Sequence, residues 1–494
     1  MIEELYLALP MATVILGAFV LLLISNSKRF KLDRLNLIAV VFLVLSLSLQ
    51  YFTLDTNTKF LFSDVFGDTF ILDDFAKIFD FMFTIGAILT LLINNDYFKS
   101  RHYFNGEYFA LILFSVFGMM MLSHAHELVT AFIALEIASL SVYALVGYHK
   151  NNQVSSEAML KYMILGSMTG AFFILGTALI YGLVGSTNFT EISLYVASRD
   201  VNELTLLIVG ASFISITIMF KIGAVPLHSW VVDVYHGAPY PITMFMASTF
   251  KIAIFAIALR LYIVNFASIN IFWHEMLQVI TILTLLGGSW LAISQTLVKR
   301  MLAGSSIVHT GYLLIGLSSL GLGSGVAGSA VMFYLIAYFI SSVGAFGILS
   351  FIASQSKKQM SYEDFKGFAY RRPYMALMMS IFMLSLAGFP STIGFLGKFY
   401  IFTSAIESGQ ILLAGLGILT AFISVYYYFK LIAMMYFYES DASQKKLPID
   451  ISTILIFVMG LIVVWGGIGT SLIPFIPGAD GFIDMSKQAI SSLK

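Results

Sequence analysis

Three lysines stand where a membrane would exclude them. Lys221 lies in the apolar run ISITIMFKIGAVPLHSW, Lys251 in MFMASTFKIAIFAIALRL, and Lys398 in LAGFPSTIGFLGKFYIF. A helix rises 1.5 Å per residue, so Lys251, ten residues past Pro241, sits about 15 Å in. That is near the middle of a hydrocarbon core about 30 Å thick. Glu136 is nine residues past Glu127, His309 nine past Arg300, and Lys398 eight past Pro390. Several runs therefore carry a titratable group at similar depth. A charge near the bilayer centre costs roughly 2.5–3.5 kcal/mol on insertion scales. Such residues face a protein interior or a water path, and the default reading is proton or ion movement.

Desolvation disfavours an ammonium and a nearby carboxylate favours it, so a lysine held between the two can exchange a proton when its partner moves. Glu136, opposite in charge and similar in depth, is the natural partner of Lys221. His228 lies seven residues after Lys221; an unbroken helix would put both on one face, but Pro226 disrupts the register. With water, His228 is placed to bridge Lys221 toward Lys251. The competing reading for all these residues is a structural ion-pair network. Lys161, near one end of its run, stands open between snorkelling to the interface and a relay role. Lys430 reads as snorkelling, Arg260 as an interface anchor, and His124 and His126 as solvated surface histidines.

The elements that must position these groups are membrane helices. The chain is 59% hydrophobic and 11% charged, with a mean hydropathy of +0.91, whereas soluble domains carry about 25% charged residues. The alternation of a β-barrel is absent over most of the chain, so the fold class is an all-α polytopic membrane protein. Net charge is zero, which gives no basic surface for nucleic acid. No cysteine is present, which excludes disulfides, thiolate metal sites and cysteine-held iron–sulfur clusters in this chain. The first apolar run reads as a membrane helix and not as a removed signal peptide. GLGSG at 321–325 follows no strand, so it is not a nucleotide-binding turn.

Fourteen spans are expected, near 5–25, 34–54, 75–95, 107–123, 127–148, 157–184, 203–236, 241–266, 273–294, 300–320, 326–353, 374–407, 411–438 and 450–473. The seventh and twelfth are too long for one crossing and contain Pro226 and Pro390, so both read as broken helices. Each is the fourth of five successive spans. Five is odd, so two copies, spans 4–8 and 9–13, would lie inverted, and matching breaks in inverted repeats point to a transport site. The domains expected are 1–100, an N-terminal three-helix segment; 101–268 and 269–440, the two five-helix repeats; and 441–494, a C-terminal helix and tail. Residues 55–74 suggest a hairpin, and 186–200 a short amphipathic piece. Lysine and arginine concentrate in one set of loops (Lys28, Arg29, Lys31, Arg34, Lys99, Arg101, Lys150, Lys299, Arg300, Lys357, Lys358, Lys366, Arg371, Arg372, Lys445 and Lys446). The positive-inside rule then places both termini outside.

The segments Val225–Phe255, Lys299–Gly316 and Leu386–Phe402 resemble three signatures of the antiporter-like membrane subunits of respiratory complex I. The run DVYHGAP at 233–239 is similar to the subunit N family of bacterial NADH-quinone oxidoreductases, where the L and M families usually have Asp-Ala-His. Val231-Val232 depart from the family, which often has a proline before the aspartate. The resemblance implies a proton relay in which Glu136 pairs with Lys221, Lys251 is the central lysine, Lys398 faces the outer half-channel, and His228 and His309 connect them. It implies a relay place for Lys161 as well. It further implies a translocase subunit in a bacterial inner membrane. Its partners would be the L, M, K, J, A and H subunits and the lipid bilayer. Quinone, FMN and iron–sulfur clusters would be in other subunits, and no cofactor or metal in this one. The alternatives are an Mrp-type cation/proton antiporter subunit and a purely structural scaffold.

Overall fold

The computed structural model describes residues 2–493 apart from 26–30, 55, 267–268, 356–359, 440–449 and 469–477. Of the charges used for orientation, Lys28, Arg29, Lys357, Lys358, Lys445 and Lys446 lie outside the described residues. Apolar composition forces helix, because a backbone in lipid must satisfy its own hydrogen bonds. In chain order the main helices are α1 (Ile2–Ser25), α2 (Leu32–Thr53), α3 (Asp74–Ile93), α4 (Gly106–His124), α5 (Leu128–Val146) and α6 (Gln153–Val184). They continue with α7 (Thr205–Ile222), α8 (Ser229–Gly237), α9 (Tyr240–Asn265), α10 (Asn270–Ser294), α11 (Val298–Ser318) and α12 (Ala327–Gln355). Last come α13 (Pro373–Ala387), α14 (Ile393–Glu407), α15 (Ile411–Phe437), α16 (Ile451–Ile468) and α17 (Ala479–Ser491).

Thirteen of the described helices are long and apolar enough to cross a membrane. The interrupted pair α13–α14 supplies the remaining crossing, which makes the fourteen expected. Helices α9, α11 and α12 are buried along almost their whole length and form the centre, with α1, α2, α6, α10, α15 and α16 around them. Both breaks fall where expected. Helix α7 ends at Gly223 in the left-handed region (φ 74°), and Pro226 follows before α8 begins. Helix α13 ends at Gly388 (φ 85°), and Thr392 caps α14 by accepting from the Phe395 amide. A left-handed residue costs glycine nothing, which is why each break begins at one.

On the face away from the basic loops, Lys59–Phe60 pairs antiparallel with Ile71–Leu72, and the amphipathic piece is a helix at Phe189–Ala197. Helix α17 was not expected as a separate element. It docks on α3 through Gln488 to Asp74 (3.0 Å) and through Ser492 Oγ, which accepts from the Phe75 amide. Three residues read as surface groups are buried. Arg260 is 2% exposed and makes a two-pronged ion pair with Asp73 (2.8 and 3.0 Å). His124 is buried against Asp80 (2.7 Å), and His126 is buried against Thr190 (2.9 Å). For Arg260 and His124 the cause is shared: Asp73, the N-cap of α3, and Asp80 on α3 need buried partners, and sequence distance concealed which residues would supply them.

Candidate functional site

Lys221 occupies the last turn of α7, where carbonyls left without intrahelical donors favour a cation. Its ammonium is buried and donates to Ser139 Oγ and Tyr143 OH, both at 2.7 Å. Glu136, Ser139 and Tyr143 fall at i, i+3 and i+7 on α5 and so share one face. Glu136 lies within Coulombic reach of Lys221, but the two hydroxyls take the direct bonds. Its Oε1 is buried with no hydrogen-bond partner among the described residues. Gly170 on α6 leaves room for that carboxylate: a Cβ there would stand 3.1 Å from Oε1.

Lys251 follows a π-helical turn, Met246–Phe250, in the middle of α9. Such turns re-aim side chains and recur at functional sites. Lys251 donates to the Ser306 carbonyl (2.7 Å), the Ser306 hydroxyl and Thr310 Oγ1 (2.9 Å), all on α11. Thr310 Oγ1 in turn donates to the Ile222 carbonyl at 2.9 Å. Thr310 thus joins the central lysine to the end of the helix that carries Lys221. Tyr338 on α12 donates to Ser306 Oγ (2.9 Å), and its ring lies 4.9 Å from the His309 ring.

His309 is held at both nitrogens, by Tyr334 OH (Nδ1, 2.6 Å) and Tyr428 OH (Nε2, 3.1 Å). Both Lys251 and Lys398 lie within electrostatic reach of it. Lys398 on α14 donates to the carbonyls of Leu386 (2.9 Å) and Ala387 (2.8 Å) at the end of α13, and its ammonium lies 4.8 Å over the Tyr312 ring. It therefore caps the negative end of a half-helix.

The family model described as NADH:quinone oxidoreductase/Mrp antiporter, TM matches residues 125–424, a stretch that holds Glu136, Lys221, Lys251, His309 and Lys398. A curated subunit N of NADH-quinone oxidoreductase from Trichlorobacter lovleyi is 39% identical over 372 residues, 75% of this chain and 76% of that one. The chain belongs to the NADH-quinone oxidoreductase subunit N family. It is an antiporter-like, multi-pass subunit of a larger membrane assembly. A chain of respiratory complex I from Thermus thermophilus with bound aureothin superposes with a TM-score of 0.78 at 26% identity, over 93% of this chain and 96% of that one. A chain of the Mrp complex from Dietzia sp. DQ12-45-1b gives 0.86 at 20% identity, over 100% of this chain and 98% of that one. At that identity it shows the shared fold alone.

Two residues that the family resemblance placed on the relay make no direct hydrogen bond to Lys221, Lys251 or Lys398 among the described residues. Lys161 is half-exposed in a cluster with Glu157 (2.7 Å) and Asp233 (3.1 Å), and Asp233 also pairs with Arg300 (3.2 Å). His228 is the residue before α8, its Nδ1 is buried without a hydrogen-bond partner, and no hydrogen bond joins it to Lys221 or Lys251 among the described residues. His228 was expected to bridge through water; the direct contact between Lys251 and the end of α7 is made by Thr310. Sequence reasoning missed Ser139, Tyr143, Ser306, Thr310, Tyr312, Tyr334, Tyr338 and Tyr428. Hydroxyls are ordinary in membrane helices, and only their spacing from Glu136 or His309 on a shared face could have drawn attention to them.

Proposed function

We propose that this chain carries protons across the membrane along a line from Glu136 and Lys221, through Lys251 and His309, to Lys398. The assembly is a proton-translocating NADH-quinone oxidoreductase, and quinone reduction in other subunits drives the movement. One observation carries the reading: Lys221, Lys251 and Lys398 are buried, and among the described residues only hydroxyls and carbonyls bond to their ammonium groups. A cation without a contacting carboxylate can lose its proton without stranding a partner charge, and hydroxyls can pass a proton by donating and accepting in turn. Protons enter from the basic-loop face, which is the inside of a bacterial inner membrane with both termini outside, and leave beyond Lys398. The neighbours are the L, M, K, J, A and H subunits, and quinone, FMN and iron–sulfur clusters belong to other subunits.

The test is Lys221→Ala and Lys251→Ala in the assembled complex in membrane vesicles, with proton uptake measured against quinone reduced. Both variants are expected to assemble and to lose pumping. Full pumping in both leaves a scaffold role. The description of the matching family model, which also names the Mrp antiporter, supports a second reading, cation/proton exchange. Sodium-dependent exchange by the isolated chain would favour that reading.

A further inference from the structure

A cavity of about 230 Å3 opens on the face that carries the basic loops, away from the lysine line. Its walls include Arg101, His149, His236 and Lys299, and among the described residues no carboxylate lines it. Lys299 is 5% exposed. Its ammonium donates to the carbonyls of Ala238 (2.6 Å) and His236 (3.3 Å) and lies 4.2 Å over the Tyr240 ring. It is in the first turn of α11, where the helix dipole disfavours a positive charge. The neighbouring Arg300 turns outward and is paired with Asp233 (3.2 Å), whereas no salt bridge reaches Lys299 among the described residues. Positive-inside topology would be served by an exposed lysine. A buried one at a helix N-terminus serves neither topology nor α11, although it does cap the carbonyl end of α8.

What lies behind Lys299 gives it a use. Ser306 is seven residues on, nearly two turns, so both face the same way on α11 about 10 Å apart. Ser306 holds Lys251. The hydroxyl of Tyr235, next in sequence to a cavity residue, lies beside the Ser306 side chain. We propose that this cavity is the proton intake of the chain and that Lys299 is its first carrier, connected to Lys251 by water and the hydroxyls of Tyr235 and Ser306. This rests on the proton line described above. The Lys299 ammonium releases its proton into that file and becomes a neutral amine. The Lys251 amine takes up a proton at the other end, and water in the cavity reprotonates Lys299. No oxidant, metal or further reactant is required.

The experiment uses the whole complex in vesicles with the basic-loop face outward. Lys299→Arg keeps the charge but cannot release a proton at working pH. Lys299→Arg and Lys299→Met are both expected to cut proton pumping at least tenfold. Normal pumping in Lys299→Arg overturns the proposal, because a structural role needs only the charge. A second arm does not depend on replacing the lysine. The chain has no cysteine, so Asn152→Cys puts a single thiol in this subunit at the cavity wall. A bulky, membrane-impermeant maleimide on that thiol is expected to stop most pumping relative to the same complex unlabelled. Complete labelling with unchanged pumping overturns the proposal. If Lys251→Ala stops pumping while all the intake variants pump normally, only the intake falls. If Lys251→Ala also pumps normally, the intake and the lysine line fall together.

Discussion

Arg260 and Lys251 lie nine residues apart on α9, both buried, and their charges are met in opposite ways. Arg260 grips Asp73 with two nitrogens and adds the Ser123 carbonyl (2.7 Å). Ser123 Oγ then donates to Asp80 (2.8 Å), and Asp80 holds His124. Around Arg260, cation and carboxylate are matched in direct contact across α3, α4 and α9. Lys251 touches only hydroxyls and a carbonyl of α11. A matched pair fixes helices in place, because removing either member strands a charge. A cation held by neutral oxygens can change protonation at far smaller cost to the packing. One helix thus carries a fastener at one end and, on the proposed proton line, a mobile charge at its middle.

Removal of one residue from each region should separate the two roles. Arg260→Ala leaves Asp73 buried and unpaired, a loss of about 3–5 kcal/mol, so it should abolish assembly or sharply lower the melting temperature of the complex. A variant that assembles and melts normally would break the contrast. Lys251→Ala should do the reverse: assemble with a near-normal melting temperature and lose proton pumping by more than tenfold. Lys398→Ala tests an intermediate case, because it leaves the Leu386 and Ala387 carbonyls without their donor. Each orphaned group costs about 1–3 kcal/mol, so both melting temperature and pumping should fall, the first by less than in Arg260→Ala.

Smaller effects sharpen the same comparison. Burial, and then the charge of Arg260, lower the pKa of His126 from its ordinary 6.5 to about 4. The folded state therefore binds fewer protons there than the unfolded state, and stability rises with pH. This contribution is intact above about pH 6.5 and is lost as pH falls toward about 4. The protection factor against hydrogen exchange in residues 186–200, which His126 holds through Thr190 and the Phe189 amide, should fall between pH 7 and pH 5. His126→Gln should remove most of that pH dependence. Lys161→Ala should be the mildest change, with pumping within twofold and an unaltered melting temperature, because its ion pairs are half-exposed and screened. A large pumping defect would return Lys161 to the relay.

Periodicity and length made the spans and both broken helices legible, and the apolar setting of Lys221, Lys251 and Lys398 marked them out. The partners of those lysines were not legible. Ser139 and Tyr143 lie on a helix some eighty residues before Lys221, and a serine or tyrosine in an apolar run carries no mark of what it will face. The two breaks also differ in a way that sequence order hides. Lys221 precedes its break and is held by side chains of a neighbouring helix, whereas Lys398 follows its break and is held by backbone carbonyls of its own span. Packing of α5 therefore governs the first, and the geometry of α13 and α14 governs the second.

The sequence by itself determined a helical membrane protein, the places where two helices must break, and the buried charges that require an explanation. Those properties depend on transfer energies and backbone limits that act residue by residue. Only the tertiary structure decided that Thr310 joins Lys251 to the end of α7, that Arg260 and His124 are buried partners of carboxylates, and that Lys299 turns inward from its loop. Whether a buried charge meets a carboxylate, a hydroxyl or a carbonyl depends on which helix packs beside it, and that is a property of the assembled bundle.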